Sequence, residues 1–402
     1  MKLYFLTRSY YPYQQTGGAQ IRTSQVEALR ELGYDVTVVI PEYEENTYQE
    51  EGMISIPFKG NNKVAMLLEM IGIYEDYLDK WVKDAYAYLQ KRVNPSDLLF
   101  ATSGGELGMI KLAVKLKQKL GNKVIANFHD PLIYSNVHGE RYQKYFHVSR
   151  ERVEKKYLQQ VDCVITSSRS YQRALEDKYP FLKGKAATLY FGYTKMLDLH
   201  KKDSLVKDET LHIAYVGAMS SVQKPEKMLQ LLEFSDKVKL YFIGNRTGYE
   251  PLQNIEDERV VMMDYMPHKE LLTFMQKQID VGFVSLHERY FGACVPSKMY
   301  EYINLGLPIL GLLPPGDAQD IINQKGYGVA VDFDDTIAYR EAFERMSDRD
   351  HLARYRENIL KERSSWQLRE RFRQIGTYIH RTVEEKEPCV EGESMTEGGN
   401  RN

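Results

Sequence analysis

The stretch VPSKMYEYINLGLPILG, residues 295–311, gathers residue types suited to a charged, hydroxyl-bearing ligand. Ser297 and Lys298 open a short predicted helix, Gly306 ends it, and Pro308 leads an apolar run that reads as a strand. The run VGFVSL (281–286) just before also reads as a strand, so the helix begins at the carboxyl edge of a parallel sheet. Free N–H groups and the positive end of the helix dipole meet at such a point, which favours an anion. Lys298 adds a full positive charge, and Glu301, three residues on, is placed to accept hydrogen bonds from neutral hydroxyls such as those of a ribose. A nucleoside diphosphate satisfies all three features. Taken alone, the stretch is equally well read as a surface lysine and an acid near a helix start.

A second turn adds weight to the ligand reading. YVGAMSSVQKPEKM ends a strand at Gly217, where the missing side chain lets a phosphate approach the backbone. Lys224 follows at the mouth of the next helix. Two lysines converging on one place from different strands are harder to explain as solvated charges.

The elements that must position these residues form a regular alternation. KLYFLT (2–7), DVTVVI (35–40), LLFAT (98–102), KVIANF (123–128) and CVITSS (163–168) read as buried strands. Amphipathic stretches separate them, for example AQIRTSQVEALRELG (19–33), closed by Gly33. The rhythm restarts with HIAYVG (212–217), KLYFIG (239–244), VVMMDY (260–265), VGFVSL (281–286), PILGLL (308–313) and GVAVDF (328–333). Buried strands alternating with helices predict βαβ units and parallel sheets covered on both faces. The expected fold is therefore α/β, two doubly wound Rossmann-like domains with parallel sheets facing a central cleft, with the ligand at the carboxyl ends of the strands. The expected boundaries are 1–195 for the first domain, 196–210 for a polar linker and 211–365 for the second domain. Residues 366–386 would form a helix packing back on the first domain, and 387–402 a tail of disordered composition.

Length and composition agree with two soluble domains: 402 residues, 43% apolar, 27% charged. A net charge of −2 gives no general affinity for nucleic acid. Residues 101–200, however, hold 17 Lys and Arg against 9 Asp and Glu, so one face of the first domain is expected to meet something anionic. Its basic helix, MIKLAVKLKQKLGNK (109–123), is compatible with anionic lipid headgroups and equally with a solvated face. Three widely spaced cysteines make no disulfide framework or metal motif and suit a reducing compartment. No apolar run reaches the about 18 residues needed to span a bilayer. The nearest, VAMLLEMIGIY (64–74), is broken by Glu69. A cytoplasmic protein, at most peripheral on the inner face of the membrane, is the expectation.

With these residues in view, the whole arrangement resembles the glycosyltransferases of GT-B fold, in particular the large retaining, family 4-like group of bacterial polysaccharide-building enzymes. The resemblance spans residues 1–385 and is strongest in PSKMYEYINLGLPILG, then in YVGAMSSVQK. YYPYQQTGGAQ, NFHDP and VVMMDYMPHKELLTFMQKQIDVGFVSL support it. It implies that Lys224 and Lys298 hold the donor diphosphate, beside Gly217 and Ser297, and that Glu301 holds the ribose hydroxyls. Main-chain groups near Tyr265 and Met266 would meet the base. Gly17 and Gly18 would let the backbone approach donor phosphate or acceptor, and His129 would sit beside the transferring sugar. The implied catalytic set is His129, Lys224, Lys298 and Glu301.

The implied reaction moves a sugar, with retention, from a UDP- or GDP-linked donor to a hydroxyl acceptor such as a lipid-linked saccharide, in polysaccharide or glycoconjugate biosynthesis. Neither a metal nor a cofactor beyond the donor substrate is implied, and closure of the cleft would exclude water. The Asp-x-Asp spacing in DFDD (332–335) reads as a strand-end turn. Two positions depart from the pattern: Ala293 stands where many relatives have the first of two glutamates, and Ala218 where many have an arginine. They leave two rivals open, a nucleotide-sugar epimerase on the same fold and a non-catalytic subunit that binds a nucleotide sugar.

Overall fold

The computed structural model describes residues 1–14, 17–43, 49–58, 62–132, 151–199 and 209–384. The expected tail, 387–402, and most of the expected linker, 200–208, lie outside them. The chain divides into two units: Met1–Leu189 with the segment from Phe372 onward, and Tyr190–Arg371.

The first unit is built on β1 (Lys2–Leu6), β2 (Asp35–Glu42), β3 (Met53–Pro57), β4 (Leu98–Gly104), β5 (Lys123–Asp130), β6 (Cys163–Thr166) and β7 (Ala186–Thr188). They form one sheet in the order β3-β2-β1-β4-β5-β6-β7, all pairs parallel. Parallel strands of this kind are covered on both faces, so Leu98, Leu99, Phe100 and Ala101 are all buried although they alternate in direction. Phe5 and Phe100 stack at 5.3 Å across neighbouring strands. The helix expected over 19–33 runs from Gly17 to Glu31, and Gly33 reverses the chain at φ +88°. The two strands missing from the sequence reading, β3 and β7, are the sheet's edges. β7 has only three residues, and β3, MISIP, is only partly buried, so neither shows the long apolar run of a strand buried on both faces.

The second unit carries β8 (Leu211–Val216), β9 (Val238–Ile243), β10 (Val260–Met263), β11 (Val281–Ser285), β12 (Ile309–Leu312) and β13 (Gly328–Val331). The order is β10-β9-β8-β11-β12-β13, again parallel throughout. Successive residues of β8 feed opposite cores. Ile213 and Tyr215 pack with Phe242, Phe283, Tyr339 and Phe343 on one face. Ala214 packs with Ile243, Val284, Tyr302 and Ile303 on the other. This two-residue alternation with apolar packing on each side is the doubly wound arrangement.

One contact of the second core decides where the helix Ser297–Leu305 lies. Gly282 in β11 has no side chain, and a Cβ there would fall 2.4 Å from the Tyr302 ring. The Tyr302 ring therefore packs directly on the Gly282 backbone, and its hydroxyl sits 3.3 Å from the Ala214 carbonyl and 3.2 Å from that of Phe283. The helix ends at Gly306, φ +65°, a left-handed cap. C-terminal to the sheet run the helices Thr336–Ser347 and Arg349–Glu362, and the helix expected over 366–386 is divided into Leu368–Phe372 and Ile375–Glu384.

Candidate functional site

In the second unit, Gly217, Tyr215 and Lys298 come together at the carboxyl end of β8. Gly217 has φ +115°, and its N–H donates to the Ile243 carbonyl at 2.8 Å. A Cβ on Gly217 would lie 2.8 Å from Cε of Lys298, so the lysine stem packs on bare backbone. The Lys298 ammonium donates to the Tyr215 hydroxyl and lies 3.9 Å from that ring's centroid. The same hydroxyl donates onward to the Ala218 carbonyl at 2.6 Å. Gly244, at the end of β9, completes the close packing, since a Cβ there would stand 2.3 Å from the Gly217 carbonyl oxygen. Among the described residues no carboxylate pairs with Lys298, and burial pushes its ammonium down to about 7. An anion arriving here would restore the charged form.

Lys224 lies on the loop that follows Gly217. Its backbone is left-handed at φ +41°, unusual for a residue with a side chain, and its N–H donates to the Ser220 carbonyl at 2.9 Å. The end of β11 anchors this loop: the Ser285 hydroxyl donates to the Gln223 carbonyl, and the His287 N–H donates to that of Val222 at 2.9 Å. Burial, then the charges of Lys224 and Lys227, push the His287 imidazole down to about 4, so it is neutral near pH 7. The chain that fixes the Lys224 loop thus runs on into the helix that carries Lys298.

Ser297 is exposed in the first turn of the helix Ser297–Leu305, after Pro296. Glu301 is half-buried. Its Oε1 faces Nε2 of His268 at 3.7 Å, and its Oε2 is buried without a hydrogen-bond partner. His268 begins the helix His268–Gln278, directly after the turn holding Tyr265, which is exposed, and Met266, which is half-buried. That turn, expected to meet the base, is therefore tied to the expected ribose carboxylate.

The first unit gathers the other named residues. Gly17 and Gly18 open the helix Gly17–Glu31, and a Cβ on Gly18 would touch Arg22 Nη1 at 3.0 Å. His129, near the end of β5, is buried. Its Nε2 stands 3.1 Å from Gln25 Oε1 and 3.2 Å from Asn127 Oδ1, two acceptors that favour a proton on that nitrogen. Burial, reinforced by the charges of Arg22 and Arg8, holds its pKa well below the ordinary value. His129 is thus a neutral imidazole at pH 7.

Several residues of these sites carried no sequence signal. Arg22 is buried, donating to Ser9 Oγ at 2.8 Å and Thr102 Oγ1 at 3.3 Å, with Glu106 at 3.7 Å. Arg8 meets the same Glu106 at 3.1 Å. Tyr215 and His268 likewise carry no signal in the sequence, because a tyrosine in a strand and a histidine starting a helix are ordinary alone. Only their partners, distant in sequence, give them meaning.

The basic helix is less free than its lysine content suggests. It runs from Gly108 to Leu120, and Lys111 is buried against Glu75 and Asp79, each at 2.7 Å. Lys117 meets Asp162 at 2.6 Å and Lys123 meets it at 3.8 Å. Lys115 lies over the Tyr86 ring, and Lys119 is exposed. In DFDD, Asp332 and Asp334 pair with Arg289, and Asp335 caps the helix Thr336–Ser347 by accepting from the Ala338 N–H at 2.9 Å. Among the described residues, no group of three or more His, Cys, Asp or Glu is placed to hold a metal ion, and no helix is long and apolar enough to cross a membrane.

Residues 16–193 match Glycosyltransferase Family 4. No curated protein matches the sequence. Solved structures match nearly its whole length at low identity. The N-terminal domain of trehalose-6-phosphate phosphatase from Candida albicans is 10% identical, with a TM-score of 0.67 over 95% of this chain and 97% of that one. HepE of Anabaena, in complex with UDP and glucose, is 14% identical, with a TM-score of 0.62 over 94% and 99%. The UDP-forming α,α-trehalose-phosphate synthase of Burkholderia xenovorans, in complex with glucose-6-phosphate, is 13% identical, with a TM-score of 0.63 over 96% and 100%. The match to Glycosyltransferase Family 4 thus lies in the first unit, and the chain as a whole, with its two parallel-sheet units, shares the GT-B fold of these structures.

Proposed function

We propose that the protein is a retaining, metal-independent glycosyltransferase that takes a sugar from a UDP- or GDP-linked donor and passes it to a hydroxyl acceptor in polysaccharide or glycoconjugate biosynthesis. The observation that carries this reading is Lys298 held against Gly217 and Tyr215 at the carboxyl edge of the second sheet, with no carboxylate among the described residues offsetting its charge. A diphosphate placed there would meet Lys298, the N-terminus of the helix Ser297–Leu305 and the Lys224 loop. The ribose would reach Glu301, and the base the turn at Tyr265 and Met266. The UDP in the Anabaena HepE structure supports a uridine donor by analogy of fold.

In the proposed reaction the bond between the sugar C1 and the β-phosphate oxygen breaks, and a bond from C1 to the acceptor oxygen forms on the same face. The acceptor proton passes to an oxygen of the departing diphosphate. Negative charge grows on that diphosphate as the bond breaks, and Lys298, Lys224 and the helix terminus stabilise it. His129, buried and neutral, would orient the sugar by hydrogen bonding rather than supply a proton as imidazolium. We place the protein in the cytoplasm, with Lys115 and Lys119 as the lysines of the basic helix left to meet an anionic lipid surface or a lipid-linked acceptor.

The test is turnover of a panel of UDP- and GDP-sugars with oligosaccharide and lipid-linked acceptors in excess chelator. Transfer with retained anomeric configuration is expected. Nucleotide binding without turnover would favour a non-catalytic subunit. Free sugar or epimer formed without acceptor would favour the epimerase. Activity restored only by magnesium or manganese would refute the charge assignment.

A further inference from the structure

The Tyr215 ring packs with Phe242, Phe283 and Tyr339 beneath β8, a place that a phenylalanine would fill as well. Its hydroxyl is the part that this packing does not account for. It reaches past the end of the strand and donates to the Ala218 carbonyl at 2.6 Å, tying down the turn that follows Gly217. A hydroxyl has a single proton, so toward its other neighbour, the Lys298 ammonium, the oxygen can only accept. The same ammonium lies 3.9 Å from the centroid of the ring, and its stem rests on the bare Gly217 backbone. The lysine charge is therefore fixed from three directions, and two of them are the ring and the hydroxyl of Tyr215. An ammonium has further N–H groups to offer once one is given to Tyr215, and these remain for a ligand.

The titratable groups that act on Tyr215 are Tyr302, Tyr249 and Glu226, and each is engaged elsewhere. Tyr249 donates to Glu226 at 2.6 Å, and Tyr302 lies within hydrogen-bond distance of the Ala214 and Phe283 carbonyls. Resting on the donor-site reading above, we infer that the Tyr215 hydroxyl is a positioning group: it holds the Lys298 ammonium against the turn Gly217–Ala218, so that charge and backbone meet the donor diphosphate as one preformed unit. Tyr215 does not itself touch the donor, because its hydroxyl is committed to Ala218 and Lys298. Its effect travels through the lysine. By accepting from the ammonium, the hydroxyl also favours the charged amine against the burial that opposes it. A charge held in this way needs no rearrangement at the moment of reaction.

The experiment is calorimetric titration of UDP and GDP into wild type, Tyr215→Phe, Lys298→Met and the double variant at pH 6, 7 and 8. Tyr215→Phe keeps the ring and its packing and loses only the hydroxyl. Without that acceptor, Lys298 should be charged in a smaller fraction of the free protein. The complex keeps the lysine charged, so the variant should lose more affinity as pH rises. If the amine holds its proton about tenfold less tightly, the loss is about twofold at pH 6 and about ninefold at pH 8, and proton uptake on binding at pH 7 rises from about 0.5 to about 0.9. The ratio of variant to wild type cancels the nucleotide's own ionisation. In the Lys298→Met background, Tyr215→Phe should change affinity by less than about twofold, because the coupling is then gone. An equal loss at pH 6 and pH 8 with unchanged proton uptake would overturn the inference, since the hydroxyl would then serve only the turn. So would an undiminished loss in the Lys298→Met background, or wild-type affinity in Tyr215→Phe at every pH. Wild type that binds neither nucleotide would refute the donor-site reading itself.

Discussion

Binding of the donor diphosphate should draw a proton from solution, and Lys298 is the reason. In the free protein its ammonium is pushed down to about 7 by burial, with Tyr215 as its hydrogen-bond partner. At pH 8 a group of that pKa is only about one-tenth protonated. A doubly charged phosphate at hydrogen-bond distance favours the cation and returns the pKa toward or beyond that of a free lysine. About 0.9 proton should therefore enter the complex at pH 8. Because the bound state holds the extra proton, affinity must fall as pH rises above about 7 and level off only at the pKa of the complex. Between pH 7 and pH 9 the loss is about 50-fold, or about 2.3 kcal/mol. Titrating UDP or GDP calorimetrically in buffers of different ionisation enthalpy measures the uptake directly. Lys298→Met, close in length and without charge, should abolish it and flatten the pH dependence, which separates Lys298 from His268 and from the nucleotide's own ionisation. If wild type takes up no proton at pH 8, or Lys298→Met takes up as much, the lysine is not the group that meets the diphosphate.

Three further outcomes are expected. Glu301→Ala should weaken nucleotide binding tenfold to a hundredfold, the worth of hydrogen bonds to a charged group, and unchanged affinity in the folded variant would remove Glu301 from the ribose. Lys298→Ala should both raise the donor KM, since the charge that meets the diphosphate is lost, and lower kcat, because the phosphate charge is greatest in the transition state; a rise in KM with kcat intact would make the lysine only a handle for the donor. Gly282→Ala places a methyl group 2.4 Å from the Tyr302 ring, so the helix Ser297–Leu305 must shift. A loss of roughly 1–3 kcal/mol by denaturant unfolding and a larger loss of donor affinity are expected, and wild-type values of both would mean Tyr302 does not set the helix position.

The two parallel sheets were legible in the sequence because strands buried on both faces must be apolar throughout and separated by helices long enough to cross over. That constraint is local and leaves a mark along the chain, which is why all but the short edge strands β3 and β7 could be read. The approach of a helix N-terminus, Lys298 and Glu301 to one another was legible for the same reason, since all three lie within one turn of one element. What each charge meets was decided only by the tertiary structure. Lys298 finds a tyrosine 83 residues away and is buried, which leaves it poised to change protonation. Lys111, in a helix that reads as a basic surface, is instead buried between Glu75 and Asp79. Arg22 is enclosed by Ser9, Thr102 and Glu106, and His268 is turned toward Glu301. Burial and the partner together set the free energy of a charge, and both come from segments that no spacing rule connects.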